Sequence, residues 1–192
     1  MLSIAITPEC VEAALAARTL ACPACSRALS PWGFARSREV RLLRGVMRVT
    51  PRRARCAACE VTHVLLPSLL VPRRRDEAEV IGEALRLAAA GVGHRVIARR
   101  LGRPAGTVRG WLRTARRRAE ALRACAAAWS SAFDPEVGPV TPAGSELGDT
   151  VEAIMLAVRA AVLRLGPSDA GAWERAVCLT GGLLTGRPAL PP

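Results

Sequence analysis

Apolar residues recur at helical spacing through the middle of the chain. Val80, Ile81, Ala84, Leu85 and Ala88 form one stripe, which predicts an amphipathic helix ending near Ala90. Asp76, with Glu79 three residues later, has the form of a capping box at its start. Gly91-Val92-Gly93 breaks the pattern. A short helix follows, from about His94 to Leu101, with Val96, Ile97 and Leu101 facing inward. Gly102 is placed to end it in a left-handed conformation. Arg103-Pro104 turns the chain into a third helix, from about Ala105 to beyond Arg118, with Val108, Trp111, Leu112 and Ala115 on its inner face. A short middle helix, a glycine turn and the core signature Thr107-Val108-x-x-Trp111-Leu112 together form the pattern of a trihelical helix-turn-helix.

Towards the N-terminus the period shortens. Val40, Leu42, Val46 and Val49 are separated by arginines, and Arg44-Gly45 fits a turn, so a β-hairpin is predicted there. Thr62 to Pro67 reads as a further strand, and Thr7-Pro8-Glu9 as a helix start with Thr7 as cap. Towards the C-terminus, Asp134 to Asp149 holds Pro135, Gly138, Pro139, Pro142, Gly144 and Gly148 and reads as a linker. Asp149 or Thr150 then caps an apolar helix, about Val151 to Leu165, ended by Gly166-Pro167. A second helix is expected from Asp169 to about Thr180. The first of these is apolar nearly all round, so it needs more than one covering surface, either the other helices or a second copy of the chain.

The expected fold is therefore mainly α with a small β ribbon. Residues 1–72 hold an N-terminal helix and the ribbon, 73–133 the helix-turn-helix, 134–149 a linker, and 150–192 a helical pair that packs or dimerises.

Composition narrows this picture. The chain has 192 residues, a length that accommodates two or three small units and excludes most large catalytic folds with an appended module. Aromatics make up 3% of it, so the core is built from Ala, Leu and Val, and a unit as small as the ribbon needs a staple such as a metal. No apolar run reaches the ~18 residues of a membrane span. Glu9 and Glu12 interrupt any signal-like start. A cytoplasmic, nucleoid-associated location is expected. All 28 basic residues are arginine, and the net charge is +12. The first 123 residues carry 24 arginines against 9 acids, and the remainder 4 against 7. That asymmetry points to a polyanion-binding part followed by something else.

The cysteines supply the strongest chemical signal. Cys22-Pro23-Ala24-Cys25 and Cys56-Ala57-Ala58-Cys59 are two knuckles separated by 30 residues. A two-residue gap lets both thiolates of a knuckle turn onto one ion, and two knuckles complete a tetrahedral four-sulfur site. One structural Zn²⁺ is expected, with no open position for catalytic water. His63, four residues after Cys59, is an alternative ligand or simply part of the following strand. Cys10, Cys125 and Cys178 are isolated and read as small core residues.

The arginines of the helical region supply the second signal. Between Arg95 and Arg123 there are ten arginines and one acid, Glu120. A solvated helix face usually mixes signs, so the imbalance favours double-stranded DNA as partner. The third helix would lie in a major groove with Ala105, Gly106, Thr107, Arg109, Gly110 and Arg113 outward. Arg109 and Arg113 are the candidates for base contact, because arginine can grip guanine through two hydrogen bonds. Arg116 and Arg117 suit phosphates, and Arg95, Arg99 and Arg103 complete the candidate interface. The stretch 36–75 has 11 arginines against two acids. Arg38, Arg48, Arg52, Arg53, Arg73, Arg74 and Arg75 are candidate phosphate contacts within it. The alternative is that the ribbon is an adaptor surface that mainly binds protein. No small-molecule pocket motif is present.

The order Cys22-Pro-x-Cys25, arginine-rich hairpin, Arg55-Cys56-x-x-Cys59, Thr62-His63-x-Leu65-Leu66-Pro67, Ile97-Ala98-Arg99-Arg100-Leu101-Gly102-Arg103-Pro104, Thr107-Val108-Arg109-Gly110-Trp111-Leu112-Arg113 resembles a family of actinobacterial proteins of unassigned function. It is also similar in architecture to the N-terminal zinc ribbon and helix-turn-helix of insertion-sequence transposases, from about Cys22 to Arg123. What the resemblance implies is DNA binding by a regulator or mobile-element accessory factor. The transposase chemistry needs three well-separated carboxylates on a catalytic domain. Beyond Arg123 only 69 residues remain, so no enzyme activity is expected.

Overall fold

The structure is a computed structural model that describes residues 2–4 and 8–182, with side chains from residue 11 onward. A β-rich N-terminal part is followed by an all-helical part. In the first, strand β1 (Leu2–Ile4) and helix α1 (Pro8–Ala16) precede β2 (Leu29–Phe34), β3 (Arg38–Arg41), β4 (Val46–Val49), β5 (Arg52–Cys56) and β6 (Thr62–Pro67). In the second come α2 (Ala78–Ala89), α3 (His94–Leu101), α4 (Ala105–Arg117), α5 (Ala119–Phe133), α6 (Glu146–Leu165) and α7 (Ala172–Leu179). The mainly helical fold with a small β part is thus present.

The expected hairpin forms with the expected turn, Val40 opposite Met47 and Arg41 opposite Val46. It is only part of the β structure. A separate four-stranded sheet has the order β1-β6-β5-β2, with β1 parallel to β6 and the other pairs antiparallel. The hairpin is thus an excursion between β2 and β5, the two strands that lead from and to the cysteine knuckles. β2 contains Pro31 and Gly33, the latter at φ +70°, and its register with β5 shifts between Pro31 and Phe34. It lies at the sheet edge, where a residue without an N–H donor and a bulge are tolerated.

The sheet covers α1 through a small core of Val11, Leu15, Cys22, Leu29, Ala54, Cys56 and Leu65. Two of those seven are candidate metal ligands. The helical part has a larger core that draws on α2, α3, α4, α6 and α7, with Leu122 and Ala126 from α5. Trp111 at its centre is 1% exposed. Helix α6 packs chiefly on α5 and also touches α2, α4 and α7. Ten of its 20 residues are buried in this way, whereas Leu163 and Leu165 near its end stay exposed.

Three helix starts differ from expectation, each for a polar reason. Asp76 and Glu79 do not form a capping box. Helix α2 starts at Ala78 from an extended Glu77 with no side-chain cap. Asp76 is instead buried and accepts from Arg41 Nη2 at 2.6 Å and from Arg103 Nε at 2.5 Å. Glu79 reaches across to α7, where its Oε1 accepts the Trp173 N–H at 2.9 Å. That bond fixes the start of α7 at Ala172, three residues after the expected Asp169. Helix α6 starts at Glu146, where Ser145 Oγ accepts the Gly148 N–H at 3.0 Å. Asp149 is inside the helix and accepts from Ala143 N, and Thr150 donates to Glu146 O. Thr7, the expected cap of α1, lies outside the described residues.

Candidate metal centre and basic helix face

The four knuckle cysteines come together as the spacing implies. Cys22 and Cys25 lie just before β2, and Cys56 and Cys59 at the end of β5, so pairing of β2 with β5 superposes the two knuckles. The four Sγ atoms lie within 4.8 Å of one another, with Cys22–Cys59 at 3.6 Å and Cys25–Cys56 at 3.4 Å. A tetrahedral ion with metal–sulfur bonds of about 2.3 Å requires sulfurs about 3.8 Å apart, so the tetrad has room for one metal ion at its centre. Cys22 and Cys56 are buried, Cys59 is partly buried and Cys25 faces solvent.

Electrostatics reinforce the fit. The backbone N–H of Cys59 and, less strongly, the Cys25 thiol and Ala58 N–H hold the Cys56 thiol down to about 6, against opposing desolvation. At Cys25 the Arg27 N–H pulls downward, but the Cys56 sulfur and burial outweigh it and push that thiol up to about 12. One thiolate thus forms readily and resists a second. A cation at the centre removes the conflict, because it favours the ionised form of all four ligands.

His63 is not a fifth member of the tetrad. It lies on β6, 6% exposed, with Nε2 3.5 Å from Cys22 Sγ. Burial pushes its pKa down, so the neutral ring can donate to the cysteine sulfur and orient it. Of the isolated cysteines, Cys125 is buried and donates to Leu179 O, and Cys178 is partly buried. The side chain of Cys10 lies outside the described residues.

The basic face is built on α3 and α4. Gly102, at φ +61°, ends α3, and residues 102–104 turn the chain into α4. Val108, Trp111, Leu112 and Ala115 face the core as expected, which leaves the rest of α4 outward. Ala105, Gly106, Arg109, Arg113, Arg116 and Arg117 are exposed, and Thr107 and Gly110 partly so. A cleft of about 670 Å³ brings Arg95 and Arg99 beside Ala105. A second, of about 290 Å³, brings Arg109 and Arg116 beside His94 and the Gly91–Gly93 turn. No acidic residue occurs between His94 and Arg117. A Cβ added at Gly106 or Gly110 would meet nothing within 4 Å.

Arg103 and Arg52 differ from their expected roles. The Arg103 side chain is 11% exposed; besides Asp76 it donates to Leu42 O at 2.7 Å and to Leu101 O at 2.9 Å. Its charge is spent on joining the β3–β4 turn to the α3–α4 turn. Arg52 pairs with Glu12 at 2.6 Å, donates to Gly33 O and stacks over Phe34. Arg48 is exposed and lies 3.8 Å from Glu39. Arg73 and Arg75 are exposed, while Arg38, Arg53 and Arg74 are partly buried. Sequence reasoning missed the roles of His63 and Asp76. The Asp76 bridge joins Arg41 and Arg103, which are 62 positions apart in the chain, and no local pattern encodes such a pairing.

Taken together, the molecule is a cysteine-cluster β ribbon fixed to a helical body. Residues 22–99 match the family model described as Domain of unknown function (DUF6431). The match begins at the first ligand of the cysteine tetrad and ends within α3, so it takes in the tetrad, the hairpin and α2. No curated protein matches the chain, and no solved structure does. No helix of the described residues is long and apolar enough to cross a membrane.

Proposed function

We propose that this is a double-stranded DNA-binding protein, a transcriptional regulator or mobile-element accessory factor without a catalytic domain of its own. Helix α4 is its recognition helix and zinc its structural metal. The observation that carries this reading is that α3 and α4 expose seven arginines and contain no acid. Gly106 and Gly110 add to it. Each costs an exposed helix about 0.8–1.0 kcal/mol relative to alanine, and neither has an internal neighbour that needs the space. Glycine on an outward helix face allows close approach of a partner's backbone. A four-thiolate donor set suits zinc among the available divalent ions.

The test is a pair of substitutions read by duplex binding and by selection from a random DNA pool. Arg109→Ala is expected to relax sequence preference, losing about 1–3 kcal/mol at one base position. Arg117→Ala is expected to weaken all sequences alike. If both proteins bind as wild type does, α4 is not the recognition helix. If the wild type binds no duplex at all, the adaptor role of the ribbon takes its place.

A further inference from the structure

A second basic cleft lies at the root of the β3–β4 hairpin. Arg36, Ser37, Arg38, Glu39, Arg48 and Arg75 line a cleft of about 510 Å³. Its walls are anchored by backbone. Arg48 sits opposite Glu39 in the hairpin register. Arg75 is held against β3 because Arg41 N donates to Arg75 O at 2.7 Å and Glu77 N to Arg41 O at 3.1 Å. Arg73, in the left-handed region at φ +62°, turns the chain into that position.

Arg38 is the unusual member. Its Nε and Nη2 atoms are buried and have no hydrogen-bond partner. Among the described residues no carboxylate lies within ion-pair distance of it, in contrast to Arg41, Arg52, Arg55 and Arg103, each of which has an acid. Arginine does not deprotonate in proteins, so a desolvated guanidinium keeps its charge and needs an anion. Burial accordingly pulls the Arg38 pKa downward. The one acid in the cleft, Glu39, is solvent-exposed and 3.8 Å from Arg48. Arg36 and Arg75 have no side-chain partner among the described residues. Four guanidiniums against one exposed carboxylate select an oxyanion, and their planar forks match the three oxygens of a phosphate group.

We propose that this cleft is a phosphate site, with the partly buried Arg38 as its anchor and Arg36, Arg48 and Arg75 as its rim. The phosphate comes either from a nucleic-acid backbone or from a phosphorylated small molecule. Only the first source rests on the DNA-binding reading above.

The experiment is thermal unfolding of the zinc-loaded full chain with inorganic phosphate, against sodium chloride at matched ionic strength. The wild type is expected to gain a few degrees in Tm, saturating with phosphate, because a ligand that binds only the folded state stabilises it by mass action. Arg38→Met is expected to lose that gain while melting above wild type without phosphate, since it removes an unpaired, partly desolvated charge. Arg75→Ala, at an exposed position, is expected to reduce the gain and serves as the test if Arg38→Met does not fold. Arg109→Ala retains the gain in full. Equal responses of the wild type to phosphate and chloride would overturn the site, as would a full phosphate response in Arg38→Met. Duplex binding then separates the sources. A backbone phosphate makes the salt slope of Arg38→Met shallower by about 1, whereas an unchanged slope with a lost phosphate response assigns the cleft to a small phosphorylated ligand. A chain that binds duplex through Arg109 yet ignores phosphate removes this site and leaves the DNA-binding reading standing.

Discussion

Two arginines of the same stretch illustrate how environment decides what a charge does. Arg103 and Arg109 are six positions apart, and both read from sequence as DNA contacts. Arg103 is 11% exposed and completes the pairing of a carboxylate that is itself 3% exposed. Removing Arg103 leaves Arg41 on the other carboxylate oxygen and one buried oxygen unpaired, at a cost of about 1–3 kcal/mol. Arg103→Ala is therefore expected to lower the midpoint of urea unfolding clearly, whatever it does to binding. Arg109 is exposed with no internal partner, so Arg109→Ala is expected to leave the unfolding free energy within about 0.5 kcal/mol of wild type and to act on binding alone. Equal unfolding curves for the two variants would contradict the role given to Asp76. His63 belongs to this scale too. Its position on a strand was legible, but its approach to Cys22 depends on how β6 pairs with β5.

At the scale of elements, the helices were the most legible part. The stripe ending at Ala88, the glycine break, Gly102 and the Trp111-Leu112 pair each mark a local event, and α2, α3 and α4 follow them closely. Elements whose ends depend on distant partners were not legible. Helix α7 starts where Glu79 reaches its backbone, and β2 is a strand despite Pro31 and Gly33 because it lies at a sheet edge. Gly82 shows the same dependence. It lies mid-helix in α2, where alanine normally stabilises, but a Cβ there would come within 2.0 Å of the Trp173 ring. Gly82→Ala is expected to destabilise by about 1–3 kcal/mol through overpacking of α2 against α7, measured as a drop in Tm. Gly106→Ala with Gly110→Ala, which meet open space, are expected to raise Tm and to weaken duplex binding. A double variant that binds as tightly as wild type would remove the functional account of those glycines.

At the scale of the whole molecule, a β ribbon whose four clustered cysteines could hold a metal ion is joined to a helical body. Among the described residues the ribbon has one buried cluster of seven, two of them candidate ligands, and a second of three, so metal binding is expected to supply much of its folding free energy. Chelation is expected to remove the β structure while the helical signal of α2–α7 persists. A single transition lost in full on chelation would show instead that the two parts are one cooperative unit. Acid acts in the same direction. The Cys56 thiol, set near 6 in the folded state against an ordinary value of 9.0, contributes stability that is present above the ordinary value and lost as pH falls through about 6. Protons compete with the metal for all four thiolates, so metal release is expected on acidification, as read by a zinc-sensitive dye. The cysteine spacing made the tetrad readable at once. The clamp between the parts was not readable, because Asp76, Arg41 and Arg103 carry no local signal of their pairing.

The most direct measurement is duplex affinity as a function of salt, with the metal-loaded full chain, from about 50 to 200 mM. If the exposed arginines of α3 and α4 hold the DNA backbone, log K falls linearly with log salt, at a slope of about −0.9 for each phosphate engaged. Seven exposed arginines on those helices place the expected slope at several units. A flat response, or no duplex binding at the low-salt end, would contradict the central claim.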